Sequence, residues 1–352
     1  MLGTIQQYIW RLEMGDNTQG VKRIIWLDGL KGIGIVFVFV GHIYKNETIL
    51  GWLHAFVIPL FFFCSGYVHK KRPFKESVAR RFASIMIPYF FLGLAVFIYW
   101  ALVERKFRGT DLTVLQAFFG FISGENHYLD FSVHLWFLPC LFVTVILYNE
   151  LLNLLGKKGA WVVVVLITLV VIFEPVFDYR IPYLPWGIDR MCKYLIFYAG
   201  GSLVSQLGYA EKMDSEKTLI MIIAGIVMMA INFFIAYKWG RAGIIGMLNG
   251  FLGVFGMTQL MCGQSKIEKL RFVSDELAKL GQISLVALCI HGPIYRVLIK
   301  LATIALHTKT EAVRENILCA AVIIVGTLLI CRLMYMILDR FVPWGIGKLK
   351  FK

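Results

Sequence analysis

The sequence predicts an all-α, polytopic membrane protein, and three observations carry that expectation. Hydrophobic residues fill 59% of the 352 positions and charged residues 16%, where soluble globular chains run at roughly 45–50% and 25%. Mean hydropathy is +0.71, so there is too little polar surface to coat a water-soluble globule. The apolar residues also gather into runs of the ~20 residues that a helix needs to cross a bilayer.

Ten runs approach that length, at about 24–44, 50–68, 82–103, 135–155, 160–177, 191–207, 218–237, 244–261, 283–306 and 316–338. The third, fourth, seventh and tenth are the strongest. The fifth and sixth are shorter, which leaves a tilted or partly re-entrant helix open. Residues 1–23 read as a cytoplasmic segment, 24–340 as one transmembrane domain and 341–352 as a basic cytoplasmic tail. The first 23 residues hold no apolar core followed by a small-residue cleavage site, so the first hydrophobic helix is expected to target the chain.

Lys and Arg outnumber Asp and Glu by 36 to 22, giving a net charge of +14. In a soluble protein that excess would suggest nucleic acid. Here no basic stripe interleaved with aromatics is visible, so no nucleic-acid partner is expected. Over alternate loops, roughly twice as many Lys and Arg fall on one side as on the other, which puts both termini in the cytoplasm. The inner loop 69–81 is strongly basic, a topology signal that is also suited to an anionic ligand. The outer loop 104–134 is aromatic and is expected to fold back as a lid. Seven cysteines are scattered through apolar runs without a CxxC pair and read as small buried residues.

Ionisable groups inside a bilayer are costly and are therefore the first functional candidates. The first run, LDGLKGIGIVFVFVGH, holds Asp28, Lys31 and His42. Asp28 and Lys31 are three apart on one helical face and are placed to pair. Lys31 and His42 are eleven apart, so they share a face about 16 Å apart along the axis. Helix-end anchoring is an equally open role for Asp28 and Lys31. His54 opens the second run at the end where His42 closes the first, so the two histidines are placed to converge. His134 and Trp136 open the fourth, and His291 lies within the ninth, where it needs a partner or a water-filled cavity. No HxxxH pair or nearby Cys gives zinc spacing, and no metal is expected.

LDGLKGIGIVFVFVGH resembles the opening motif of the acyltransferase-3 membrane family, in which a basic residue precedes a helix-one histidine by eleven positions. FVIPLFFFCSGY is similar to the second-helix motif of the family's fucose 4-O-acetylase branch. SIMIPYFFLG, HLWFLPCLF, IDRMCKYLIFYAGGSL and SLVALCIHGPIY resemble its third, fourth, sixth and ninth helices, in the same order. One departure stands out. The branch commonly reads FHMPLFF where this chain has Phe56-Val57-Ile58-Pro59, so Val57 replaces the motif histidine and His54 lies three positions earlier.

The resemblance implies transfer of an acyl group, usually acetyl, from cytoplasmic acetyl-CoA to a hydroxyl of a cell-envelope glycan or lipid-linked sugar, in a bacterial cytoplasmic membrane. His42 is then the candidate base or transiently acylated relay, with Lys31, Asp28 and His54 beside it in the catalytic set. Lys31, Lys70, Lys71, Arg72, Arg80 and Arg81 are the candidate CoA-binding residues. His134, Trp136, Arg190 and His291 are the candidate acceptor-binding residues. Two other classes explain intramembrane charge without this chemistry. One is a small-anion transporter, which the lack of an evident internal repeat disfavours. The other is a non-catalytic membrane sensor.

Overall fold

The computed structural model describes residues 23–174, 182–209, 217–240 and 243–349. The expected N-terminal segment, except Arg23, lies outside those residues. All regular structure among them is helical, and eight helices are long and apolar enough to cross a membrane. They include α1 (Ile25–Ile43), α2 (Glu47–Tyr67) and α3, a continuous helical rod from Phe74 to Arg108. The short α4 (Val114–Ser123) follows, then α5 (Phe137–Phe173), α6 (Ile188–Gln206), α7 (Thr218–Trp239) and α8 (Gly243–Gln264). The chain closes with α9 (Arg271–Ala305), the short α10 (Thr310–Glu315) and α11 (Ile317–Phe341).

Eight helices rather than ten runs satisfy that criterion for two reasons. The expected fourth and fifth runs join in α5, interrupted at Gly156, whose φ of 67° and ψ of −174° only glycine adopts readily. Gly156 precedes Lys157 and Lys158, the basic turn expected between those runs. The sixth run is α6, 19 residues long, but Asp189, Arg190 and Lys193 in its opening turns dilute its apolar character.

The basic stretch 69–81 is not all loop. After Pro73 the chain turns helical, and Glu76 bonds Arg72 at 2.5 Å and Arg80 at 2.8 Å across one turn each. The rod passes through π turns at Phe82–Met86 and Trp100–Glu104. Such turns insert a residue into the helical ladder and often mark functional sites.

The bundle is built around α1, which packs most extensively against α9. Two glycines permit that approach: a Cβ on Gly32 would overlap the Leu277 carbonyl, and one on Gly281 would overlap that of Asp28. In the 104–134 segment, α4 is fixed by a capping box of Thr113 and Gln116. The Tyr89 hydroxyl donates to the Phe121 carbonyl, and the Trp186 indole donates to that of Ile122 at 3.0 Å. The segment thus folds back onto the bundle with α4 against α3, and no residue of α4 is among those that line the cavity at the His42 end of α1. A 3₁₀ turn, Val133–Trp136, enters that cavity.

Candidate active site

The face of α1 that carries Asp28, Lys31, Ile35, Val38 and His42 lines two cavities placed end to end. The first, about 310 Å³, holds Asp28, Lys31, Arg81, Ser84, Gln282 and Ser284 among apolar walls. The second, about 440 Å³, holds His42, His54, His134, Trp136 and Tyr194. Val38, Ile58, Phe137 and Leu288 line both, forming an apolar collar between them. The sequence placed Lys31 and His42 on one face; in the structure that face lines two adjoining cavities, one at each end.

In the first cavity Lys31 donates to Asp28 at 3.2 Å, the expected pairing. Arg81 joins them, and Ser84 and Ile85 of the π turn at Phe82–Met86 line the same wall. The other basic candidates are placed differently. Lys71 donates to the Leu152 carbonyl at 3.0 Å. The Arg72 backbone is clasped by Asn149 and Asn153, and its guanidinium shares Glu76 with Arg80. Lys70 is exposed. Of the six cations in that stretch, Arg81 is the one that lines the cavity.

At the other end three histidines from separate elements converge. His42, His134 and His291 each offer a ring nitrogen, all within 4.8 Å of one another, a set that could hold a metal ion. Their ring centroids are 5.5 Å apart for His42–His134, 5.4 Å for His42–His291 and 4.0 Å for His134–His291. Gly292 allows the last approach, since a Cβ there would press on the His134 ring. Ser132 Oγ lies 2.8 Å from His134 Nε2, and both residues are buried. His291 Nδ1 lies 3.0 Å from the Ala287 carbonyl and 2.9 Å from that of Leu288. The missing motif histidine and its neighbour share one wall, for Val57 and His54 both line the second cavity. Arg190 stands 4.5 Å over the Trp136 ring, which is stacked with Tyr194.

Sequence reasoning missed three charged residues around this cluster. Arg296, five positions after His291, bonds Glu104 at 2.5 and 2.9 Å and donates to the Phe131 carbonyl at 2.8 Å. Its signal was an arginine inside an apolar run, the criterion that selected His291. Glu104 lies in the second π turn of α3. Arg314 of α10 donates to the carbonyls of His42 at 2.9 Å and Ile43 at 3.2 Å. It thereby caps the last turn of α1 with a cation, as the helix dipole favours.

The described residues thus form a bundle with eight helices long and apolar enough to cross a membrane, and a histidine cluster at one of two adjoining cavities. The acyltransferase-3 family model, described as an acyltransferase domain, matches residues 24–336. The chain belongs to that family and is a multi-pass membrane acyltransferase. No curated protein and no solved structure matches it.

Proposed function

We propose that this acyltransferase moves an acetyl group from acetyl-CoA at the cytoplasmic face to a hydroxyl of a cell-envelope glycan or lipid-linked sugar on the other side. The observation that carries the reading is the apolar collar joining a cationic chamber to a histidine chamber. An anionic CoA head suits Lys31 and Arg81, while an uncharged pantetheine arm suits Val38, Ile58, Phe137 and Leu288. Lys70, Lys71, Arg72 and Arg80 add positive field from the adjoining segment.

His42 is the base in this reading. It takes the acceptor's hydroxyl proton as the oxygen attacks the thioester carbonyl, and it returns a proton to the departing CoA thiolate. The alternative, a transient acyl-histidine, uses the same residue. Asp28 orients Lys31. His54 stands where it can take the place of the histidine that Val57 replaces. His134 and Trp136 flank the acceptor's position in this reading, with Arg190 over the Trp136 ring, while His291 stands behind His42 and His134.

The orientation belongs to the same proposal: ten spans with both termini in the cytoplasm. Cysteines introduced at Lys45 and Lys75 should react with impermeant reagents from outside and inside respectively. The opposite pattern would invert the donor side. For the reaction, envelope glycans from cells with and without the protein are compared by mass spectrometry. An O-acetyl group present only with the protein supports the assignment and locates the hydroxyl. Identical glycans, together with no acetyl transfer from labelled acetyl-CoA into membranes, sink it.

A further inference from the structure

We infer that His291 is a positioning residue that relays the catalytic proton through His42, a role that rests on the acetyl-transfer reading above. His291 is fully buried, stacked on Phe39 at 4.8 Å, and does not line either chamber of the passage. It therefore does not meet substrate directly. Its Nδ1 faces two backbone carbonyls, at 2.9 and 3.0 Å. Carbonyls only accept, so Nδ1 carries the hydrogen and Nε2 of the neutral ring presents a lone pair. That Nε2 is buried and has no hydrogen-bond partner among the described residues. An orphaned acceptor is costly in a dry site and calls for an explanation.

The explanation lies next to it. His42, in the chamber wall, has its ring centroid 5.4 Å from that of His291, and the two rings offer nitrogens within 4.8 Å of one another. When His42 takes the acceptor's proton on one ring nitrogen, it can release the hydrogen of the other to His291 Nε2. The acceptor oxygen then bonds to the acyl carbon, the carbon–sulfur bond breaks, and the CoA thiolate recovers the proton from His291 through His42. No proton is gained or lost overall. The proton stays on that ring only in passing, because a ring shielded from water holds a positive charge less well than one at the chamber wall. The charged and titratable groups facing His291 are His42 from α1, His134 from the 3₁₀ turn, and Arg296 and Tyr295 on its own helix. Arg296 is neutralised by Glu104 of α3, so the nearest permanent cation opposes the relay less than a bare guanidinium would.

A metal ion on the three histidines is the competing use of that lone pair. The 4.0 Å separation of the His134 and His291 rings, tilted by 37°, is that of rings partly stacked on each other rather than edge-on around a shared centre.

The test uses membranes from cells carrying the protein, which supply the native acceptor, and labelled acetyl-CoA. Absence of transfer by the wild type would sink the functional reading itself. With transfer present, rates are measured in mixtures of light and heavy water. Two protons in flight give a curved dependence on deuterium fraction in the wild type. His291→Gln should lower kcat by about 10²-fold, the lower end for losing an acid–base group. It should also leave the KM for acetyl-CoA unchanged and straighten the curve. A straight wild-type dependence overturns the relay whether or not the variant folds. A near-native kcat in the variant also overturns it. So does one zinc per chain in the purified wild type whose removal by chelator abolishes transfer.

Discussion

His42 and His69 show how the same side chain serves different ends by its surroundings. His42 is held at the wall of a chamber, with Arg314 bonded to its own carbonyl. Its replacement by alanine should cut transfer by about 10²–10⁴-fold, the range for losing a general base. Binding of acetyl-CoA, followed by thermal stabilisation of the purified protein, should persist, since Lys31 and Arg81 line the other chamber. A folded His42→Ala protein with near-native turnover would remove His42 from the chemistry. His69 lies between α2 and α3, its Nδ1 2.8 Å from the Tyr198 hydroxyl. Burial, helped by the charge of Arg81, pushes its pKa down to about 4. The unfolded chain therefore binds more protons than the folded one below the ordinary histidine value near 6.5. The contribution to stability is complete above that value and is lost as pH falls from about 6.5 through 4. Unfolding temperatures in detergent should drop over that window, and His69→Gln should flatten the drop.

At the scale of elements, the α1–α9 contact shapes a wall of both cavities. Gly281 meets the Asp28 carbonyl with no room for a Cβ, and backbone cannot swing aside as a side chain can. Gly281→Leu should push α1 off α9, weaken acetyl-CoA binding through Asp28 and Lys31, and lower the unfolding temperature. Gly51 of α2 is the contrast, because a Cβ there meets nothing within 4 Å. Gly51→Ala should be neutral or stabilising, since alanine outranks glycine in a helix by about 0.8–1.0 kcal/mol. Equal damage from both substitutions would refute the close-contact argument. The two π turns of α3 matter at this scale as well. One carries Ser84 and Ile85 to the Lys31 chamber, and the other carries Glu104 to Arg296.

Across the whole molecule, the proposed transfer requires the two chambers to communicate through the collar. Ile58→Trp adds bulk where Val38, Phe137 and Leu288 already converge. It should abolish most transfer while acetyl-CoA binding falls far less, because the head still docks at Lys31 and Arg81 while the pantetheine arm and acyl group cannot pass to His42. Transfer at the wild-type rate in this variant would show that the acyl group takes another path. Binding and transfer falling together would point to misfolding instead, which the unfolding temperature would register.

The sequence by itself determined the membrane class, most of the spans, and the stripe from Asp28 to His42. Each of these follows from periodicity or composition along one segment, and a helix preserves such information because its geometry is local. The Asp28–Lys31 pair was legible for the same reason. The tertiary structure decided what no single segment contains. His134 and His291 join His42 from distant parts of the chain, and Glu104 finds Arg296 192 positions away. Arg81 was separated from Arg80 by the helix that forms after Pro73, which turns successive side chains in different directions, and from Lys70, Lys71 and Arg72 because they precede that helix. The collar, too, exists only where α1, α2, α5 and α9 meet. Charge and hydrophobicity mark which residues must be inside, but packing decides which of them face one another.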